Sequence, residues 1–169
     1  GGKVAKQQTV GALQLPLNNC GVMALDYDSN HGVVTSIGHA PVAAIIQPEA
    51  GSRLAIAEAL TNLVFAPLEK GLQGVSLSAN WMWPCNNPGE NARLYQAVQA
   101  CAEFALGLGI NIPTGKDSLS MKQKYADKEV LSPGTVIISA IAHTHNIRKV
   151  VEPVLQSGVG TIIYLPFHQ

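Results

Sequence analysis

The stretch GTVIISAIAH, residues 134–143, is apolar nearly throughout. A run of this kind reads as a strand with neighbours on both sides, central in its sheet. The rest of the chain must then supply flanking strands and a cover. CGVMALDY (20–27) alternates loosely and reads as a strand, DSNHG (28–32) as a turn, and VVTSIG (33–38) as the strand that pairs back in a hairpin. VSLSAN (75–80) reads as a strand feeding the loop WMWPCNNPG, and INIPTGKDSLSM (110–121) as a short strand followed by a glycine turn. TIIYLPFHQ (161–169) reads as an apolar strand at the end of the chain.

Two helices are expected. After HAP (39–41), where the residue before the proline is biased to extended conformations, PEAGSR leads into a helix over about 51–66 that Pro67 helps to end. The second covers about 90–108. Its residues Leu94, Ala97, Val98, Cys101, Phe104, Ala105 and Leu108 stand at helical spacing, and Gly107 and Gly109 close it. The element order predicts an α+β fold, a mixed or antiparallel sheet with helices on one face. Residues 1–155 form one domain, and 156–169 form a connector and the first strand of a following domain.

Charged residues make up 13% of the 169 residues and apolar ones 47%. A free-standing domain typically carries about 25% charged residues. The shortage implies a surface covered by a partner or by other domains. The net charge is zero and aromatics are 5%, so there is no electrostatic footprint for nucleic acid. No run approaches the length of a membrane span. GGKVAKQQ at the start is neither a signal peptide nor an initiating Met, which points to a piece of a longer protein. Three widely spaced cysteines (Cys20, Cys85 and Cys101) without a CxxC read as reduced thiols in a cytoplasmic protein. His143 and His145 share a strand face, and the histidines form no zinc pattern.

Four stretches are candidates for chemistry. In LAIAEALTNLV (54–64), Glu58, Thr61 and Asn62 share one helix face, with Leu54, Ala57, Leu60 and Val64 around the rest. Three readings stay open for Glu58 and Asn62: a solvated pair, a hydrogen-bonded packing pair, or ligands of a hard cation such as Mg2+, which takes oxygen donors. TGKDSLS (114–120) combines Gly115, Lys116, Asp117 and Ser118 without P-loop spacing, and a capped turn would look the same. SANWMWPCNNPGE (78–90) reads as a hydrophobic lid or a domain interface, with composition favouring the interface. Lys6, Gln7, Gln8, Asn18 and Asn19 cluster polar groups before the first strand, near a phosphate or simply exposed.

EALTNLVF (58–65), SANWMW (78–83), PGE (88–90), TGKDSLSM (114–121) and SPGTVIISA (132–140) follow one another at the spacing of a known family. Along almost its whole length the chain resembles the large form of phosphoribosylformylglycinamidine (FGAM) synthase, also called FGAR amidotransferase. Its synthetase region has two A-type and two B-type domains, and this chain resembles the second A-type domain. The resemblance implies a layered fold like the N-terminal domain of aminoimidazole ribonucleotide synthetase, whose A-type sheets pack together into a central barrel. It implies a role in converting FGAR, ATP and glutamine to FGAM, ADP, phosphate and glutamate. It further implies ATP/ADP and Mg2+ as cofactors and ammonia from a glutaminase domain elsewhere in the parent chain.

By the same resemblance Glu58 and Asn62 match metal ligands. Asn19 stands where the family usually has Asp, so one negative charge is gone. Asn18 matches a nucleotide contact, and Gly115, Lys116, Asp117 and Ser118 a loop near phosphate or substrate. This half-site would retain ADP tightly as a structural group, and the isolated chain would be inactive. The alternative is a non-catalytic assembly domain, whose unpaired sheet would make the isolated chain homodimerise. Selenophosphate synthetases and thiamine-monophosphate kinases lack the combination of WMW and GKDSLSM.

Overall fold

The computed structural model describes residues 2–158 and 160–166. Six strands form one mixed sheet: β1 (Val4–Lys6), β2 (Cys20–Ala24), β3 (Gly32–His39), β4 (Ser76–Met82), β5 (Asn111–Ser118) and β8 (Thr135–Thr144). Their spatial order is β1-β2-β3-β8-β4-β5. The apolar run of 134–143 is indeed an inner strand, antiparallel to β3 on one side and to β4 on the other. β2 and β3 form the expected hairpin, with Cys20 opposite Ser36 and Ala24 opposite Gly32. The turn between them is organised by Asp26. Its carboxylate accepts the backbone N–H of Asp28 (3.0 Å) and Ser29 (2.6 Å) and the Ser29 hydroxyl (3.0 Å). β4 and β5 are parallel, so a crossover is required, and α3 (Glu90–Leu108) supplies it.

The strands alternate in burial. Val34, Ser36, Ile138, Ala140 and Ala142 face a covered side, while Thr35, Ile37, Ser139, Ile141 and His143 face outward. α2 (Pro48–Leu63) lies on the covered side. It buries Ala55, Ile56, Ala59, Leu60 and Leu63, one stripe at helical spacing. Leu54 and Val64, expected among the apolar anchor, are about half exposed instead. α2 can sit this close because of Gly38: a Cβ there would lie 2.1 Å from Ala55 O and 2.4 Å from Ala59 N. The Ser36 hydroxyl donates to Ala59 O at 2.6 Å in the same seam.

Several boundaries differ from the sequence reading. α2 starts earlier, at Pro48, where a proline suits the first turn. It ends at Leu63 rather than near 66. A separate short helix, α1 (Pro41–Ile46), precedes it. It was hidden because PVAAII is too short to show a period. Residues 111–118 are one continuous strand rather than a strand and a glycine turn: Gly115 is paired with Ala79 in mid-strand, and the register shift lies nearer Pro113. A small hairpin, β6 (Lys122–Lys124) and β7 (Glu129–Leu131), follows. Residues 160–166 form no strand, and 167–169, with His168, lie outside the described residues. The tryptophan stretch is not a lid, because β4 continues through Trp81 and Trp83 is 1% exposed. Among the described residues no helix is long and apolar enough to cross a membrane.

Candidate functional site

β3 is longer than its neighbour. Its pairing with β2 ends at Ser36, so Ile37 and His39 present backbone groups beyond the start of β2. Glu58 and Asn62, one turn apart on α2, take them up. Glu58 Oε2 accepts the His39 N–H at 2.6 Å, and Asn62 Nδ2 donates to Ile37 O at 3.0 Å. The two polar side chains therefore cap a strand edge that would otherwise need water. The amide nitrogen of Asn62 is committed to a carbonyl, which leaves its oxygen as the free polar atom.

The chain enters β2 through Asn18 and Asn19. Asn18 is held from below: its side-chain amide donates to Gln7 O and its N–H to Gln8 O. Continued by one residue, the β2–β3 register brings Asn19 level with Ile37, the residue Asn62 binds. A concavity of about 950 Å³ opens here over the uncovered sheet face. Asn18, Asn19 and Asn62 line one side, Thr114 the other, and Ser78 and Ser139 lie on the floor. Ser78 and Ser139 are directly opposite each other across β4 and β8. These floor hydroxyls were missed in the sequence, although their period-2 placement among apolar residues was the available signal.

The 115–118 stretch does not gather at one point. Lys116 and Ser118 register with Asn80 and Met82, while Gly115 and Asp117 register with Ala79 and Trp81. Alternation therefore puts Lys116 and Ser118 on the open face with Thr114, and Asp117 on the other. The Lys116 ammonium rests on the Ser118 hydroxyl and on Asp117 O at 3.1 Å. β5 is three strands from β3, about 14 Å at ordinary strand spacing. Lys116 and the Glu58–Asn62 pair are thus well separated, and Lys116 lies beyond the concavity, which reaches β5 at Pro113 and Thr114.

Other candidates fall away. Lys6 pairs with Glu152 rather than joining the amide group. β8 ends at Thr144, so His145 lies beyond the strand that carries His143. The described residues contain no group of three or more His, Cys, Asp or Glu that could hold a metal. Asn19 and Asn62 line the concavity and Glu58 does not; its carboxylate stands one turn from Asn62, at the His39 N–H. Carboxylate and amide oxygens are donors of the kind a hard cation takes. Burial pushes the thiols of Cys20, Cys85 and Cys101 above their ordinary value, Cys101 to about 11. Lys6 opposes the shift at Cys20, and Glu90 and Asp117 add to it at Cys85. None of the three is an activated thiolate.

The model of the FGAR-AT PurM_N-like domain matches residues 1–143. Human phosphoribosylformylglycinamidine synthase is 43% identical over 167 residues, which is 98% of this chain and 12% of that protein. The chain thus spans about an eighth of that relative's length. The structure of PurLQS from Thermotoga maritima superposes with a TM-score of 0.65 over 91% of this chain and 23% of that one. T. maritima PurL complexed with ADP superposes at 0.62 over 82% and 22%. At 18% and 19% identity, these two likenesses speak to the fold alone.

Proposed function

Because the chain belongs to the FGAR-AT PurM_N-like domain family, we propose that it is the second A-type domain of a large phosphoribosylformylglycinamidine synthase. The parent enzyme would be cytoplasmic and carry a separate glutaminase domain. It would use ATP and glutamine-derived ammonia to convert FGAR to FGAM in purine biosynthesis, and this domain would contribute half of a nucleotide–Mg2+ site.

One observation carries this reading: Asn18, Asn19 and Asn62 converge on a single concavity that also reaches Thr114. In this reading Asn19, Glu58 and Asn62 hold Mg2+, and Asn18 lies against nucleotide. Gly115, Lys116, Asp117 and Ser118 form the phosphate-side strand, with the Lys116 and Ser118 side chains turned toward the ligand. The bound ion would neutralise phosphate charge. With Asn19 in place of an acid, Glu58 is the only formal negative charge on that ion from this chain, so its removal should have a large effect.

The test uses the full-length polypeptide carrying Glu58→Ala. Nucleotide released on denaturation is quantified by chromatography, and melting is followed with and without added ADP and Mg2+. The expected result is loss of retained ADP and of the ADP-dependent rise in Tm. Unchanged nucleotide content with an unchanged melting curve counts against the metal site.

A second reading, an assembly domain that docks on its A-type mate, is favoured by the open sheet face. Met23, Ile37 and Ile141 are 56%, 56% and 47% exposed there. Homodimerisation of the isolated chain through this face is its expected sign. A monomer in sedimentation at tens of micromolar would weaken it.

A further inference from the structure

Trp83 is buried just after β4 and holds the end of β5. Its backbone N–H donates to Ser118 O at 2.9 Å, and the next turn adds Cys85 N–H to Leu119 O at 2.9 Å. The indole lies over Gly134, where a Cβ would come within 2.2 Å of the ring. The ring is thereby fixed in position, and its Nε1 donates to Glu90 Oε2 at 2.8 Å. The other carboxylate oxygen of Glu90 lies 3.6 Å from Arg93 Nε. Arg93 Nη2 in turn donates to Ala44 O at 2.7 Å and Ile45 O at 2.8 Å, the last carbonyls of α1. Two residues past Ile45, Gln47 is the N-cap of α2.

These hydrogen bonds and the Glu90–Arg93 ion pair form one continuous path: the end of β5, Trp83, Glu90, Arg93, then the corner between α1 and α2. The side chains of Glu90 and Arg93 are only partly covered, at 23% and 32% exposure. Ion pairs this exposed contribute little net stability. What the pair does fix is geometry. Each partner is committed in two directions, and a single guanidinium nitrogen, Nη2, bridges two carbonyls that a short helix leaves open. The path joins the two elements on which the proposed site depends, β5 with Lys116 and Ser118, and α2 with Glu58 and Asn62.

We propose that Glu90 and Arg93 are positioning residues, a strut that sets the separation between the Lys116–Ser118 strand and the α2 polar pair. Neither residue touches the ligand. The role rests on the reading of β5 as the phosphate-side strand, so the experiment tests the two separately.

In the full-length polypeptide stripped of nucleotide, the Kd for re-added ADP is measured with Mg2+ present. Lys116→Ala should raise it, and an unchanged Kd overturns the reading of β5 itself. Arg93→Met removes the guanidinium while keeping an apolar stem. It should raise the Kd for ADP about tenfold, since small misplacements are costly in oriented sites. Arg93→Lys should recover part of the loss. Combining Arg93→Met with Glu90→Gln should be no worse than either alone, because both cut one path.

Hydrogen exchange in the absence of substrate tests the strut independently of any ligand. Arg93→Met should speed exchange of the Trp83 and Cys85 amides, at the far end of the path, as well as those of α1. Faster exchange at α1 alone, or an unchanged Kd for ADP in Arg93→Met, overturns the proposal.

Discussion

The two faces of this sheet are made by the same strands but obey different rules. On the covered face every position is fixed by fit. Gly38 admits the backbone of α2, Ser36 is bonded to it, and small residues such as Ala55 and Ala59 keep the helix close. On the open face apolar residues alternate with hydroxyls, and Met23, Ile37 and Ile141 stand in solvent. The covered face tolerates almost no added volume, whereas the open face has no packing to lose within this chain. The covered face therefore specifies the fold, and the open face is free to specify what the domain meets.

The sharpest way to break that contrast is Gly38→Val. The new side chain would collide with the backbone of α2, and no rotamer change relieves such a clash. We expect a loss above about 3 kcal/mol, at the upper end for overpacked cores, read as a fall in Tm or failure to fold. A mild effect would mean that α2 is not seated as tightly as the seam implies.

Alkaline titration gives a smaller, graded test of the same face. Cys101 is buried, with its thiol pushed from 9.0 to about 11. The unfolded chain ionises first as pH rises, so the stability contribution is intact below pH 9 and is lost on the way to pH 11. Two pKa steps correspond to roughly 2–3 kcal/mol. Denaturant melts across that window should show the slope, and Cys101→Ala should flatten it.

The smallest effect on folding is expected on the other side. Ile141→Asp on the open face should change the stability of the isolated chain by no more than about 0.5 kcal/mol. The same substitution should abolish self-association in sedimentation. If Ile141→Asp unfolded the chain as Gly38→Val is expected to, the distinction between the faces would collapse.

The sequence made this division only partly readable. Period-2 alternation exposed the β2–β3 hairpin, and the apolar run exposed β8, because those patterns come directly from burial. α3 showed itself through its helical spacing and Gly109, which closes it at φ +68°. Residues 41–46 and the 122–131 hairpin were too short to carry a period. Gly115 misled, since a glycine beside a lysine reads as a turn, whereas here it sits in a strand. The pairing of Glu58 with Asn62 was visible as one helix face, but their bonds to His39 and Ile37 were not. Those depend on where β2 happens to stop. The approach of Asn19 to Asn62 likewise depends on register between segments far apart in the chain. Lys116 and Asp117 looked like one cluster until alternation separated them.

One contact at the margin of the sheet bears on how the domain can be carried. Lys6 on β1 is paired with Glu152, and nearby Val151 donates its N–H to Phe65 O at 2.8 Å. The strand that opens the fold and the segment that leaves it are thus buckled side by side. A unit with adjoining entry and exit can be set into a longer polypeptide like a bead on a loop of thread. Tension from its flanks would fall first on the buckle, well away from the seam beneath α2.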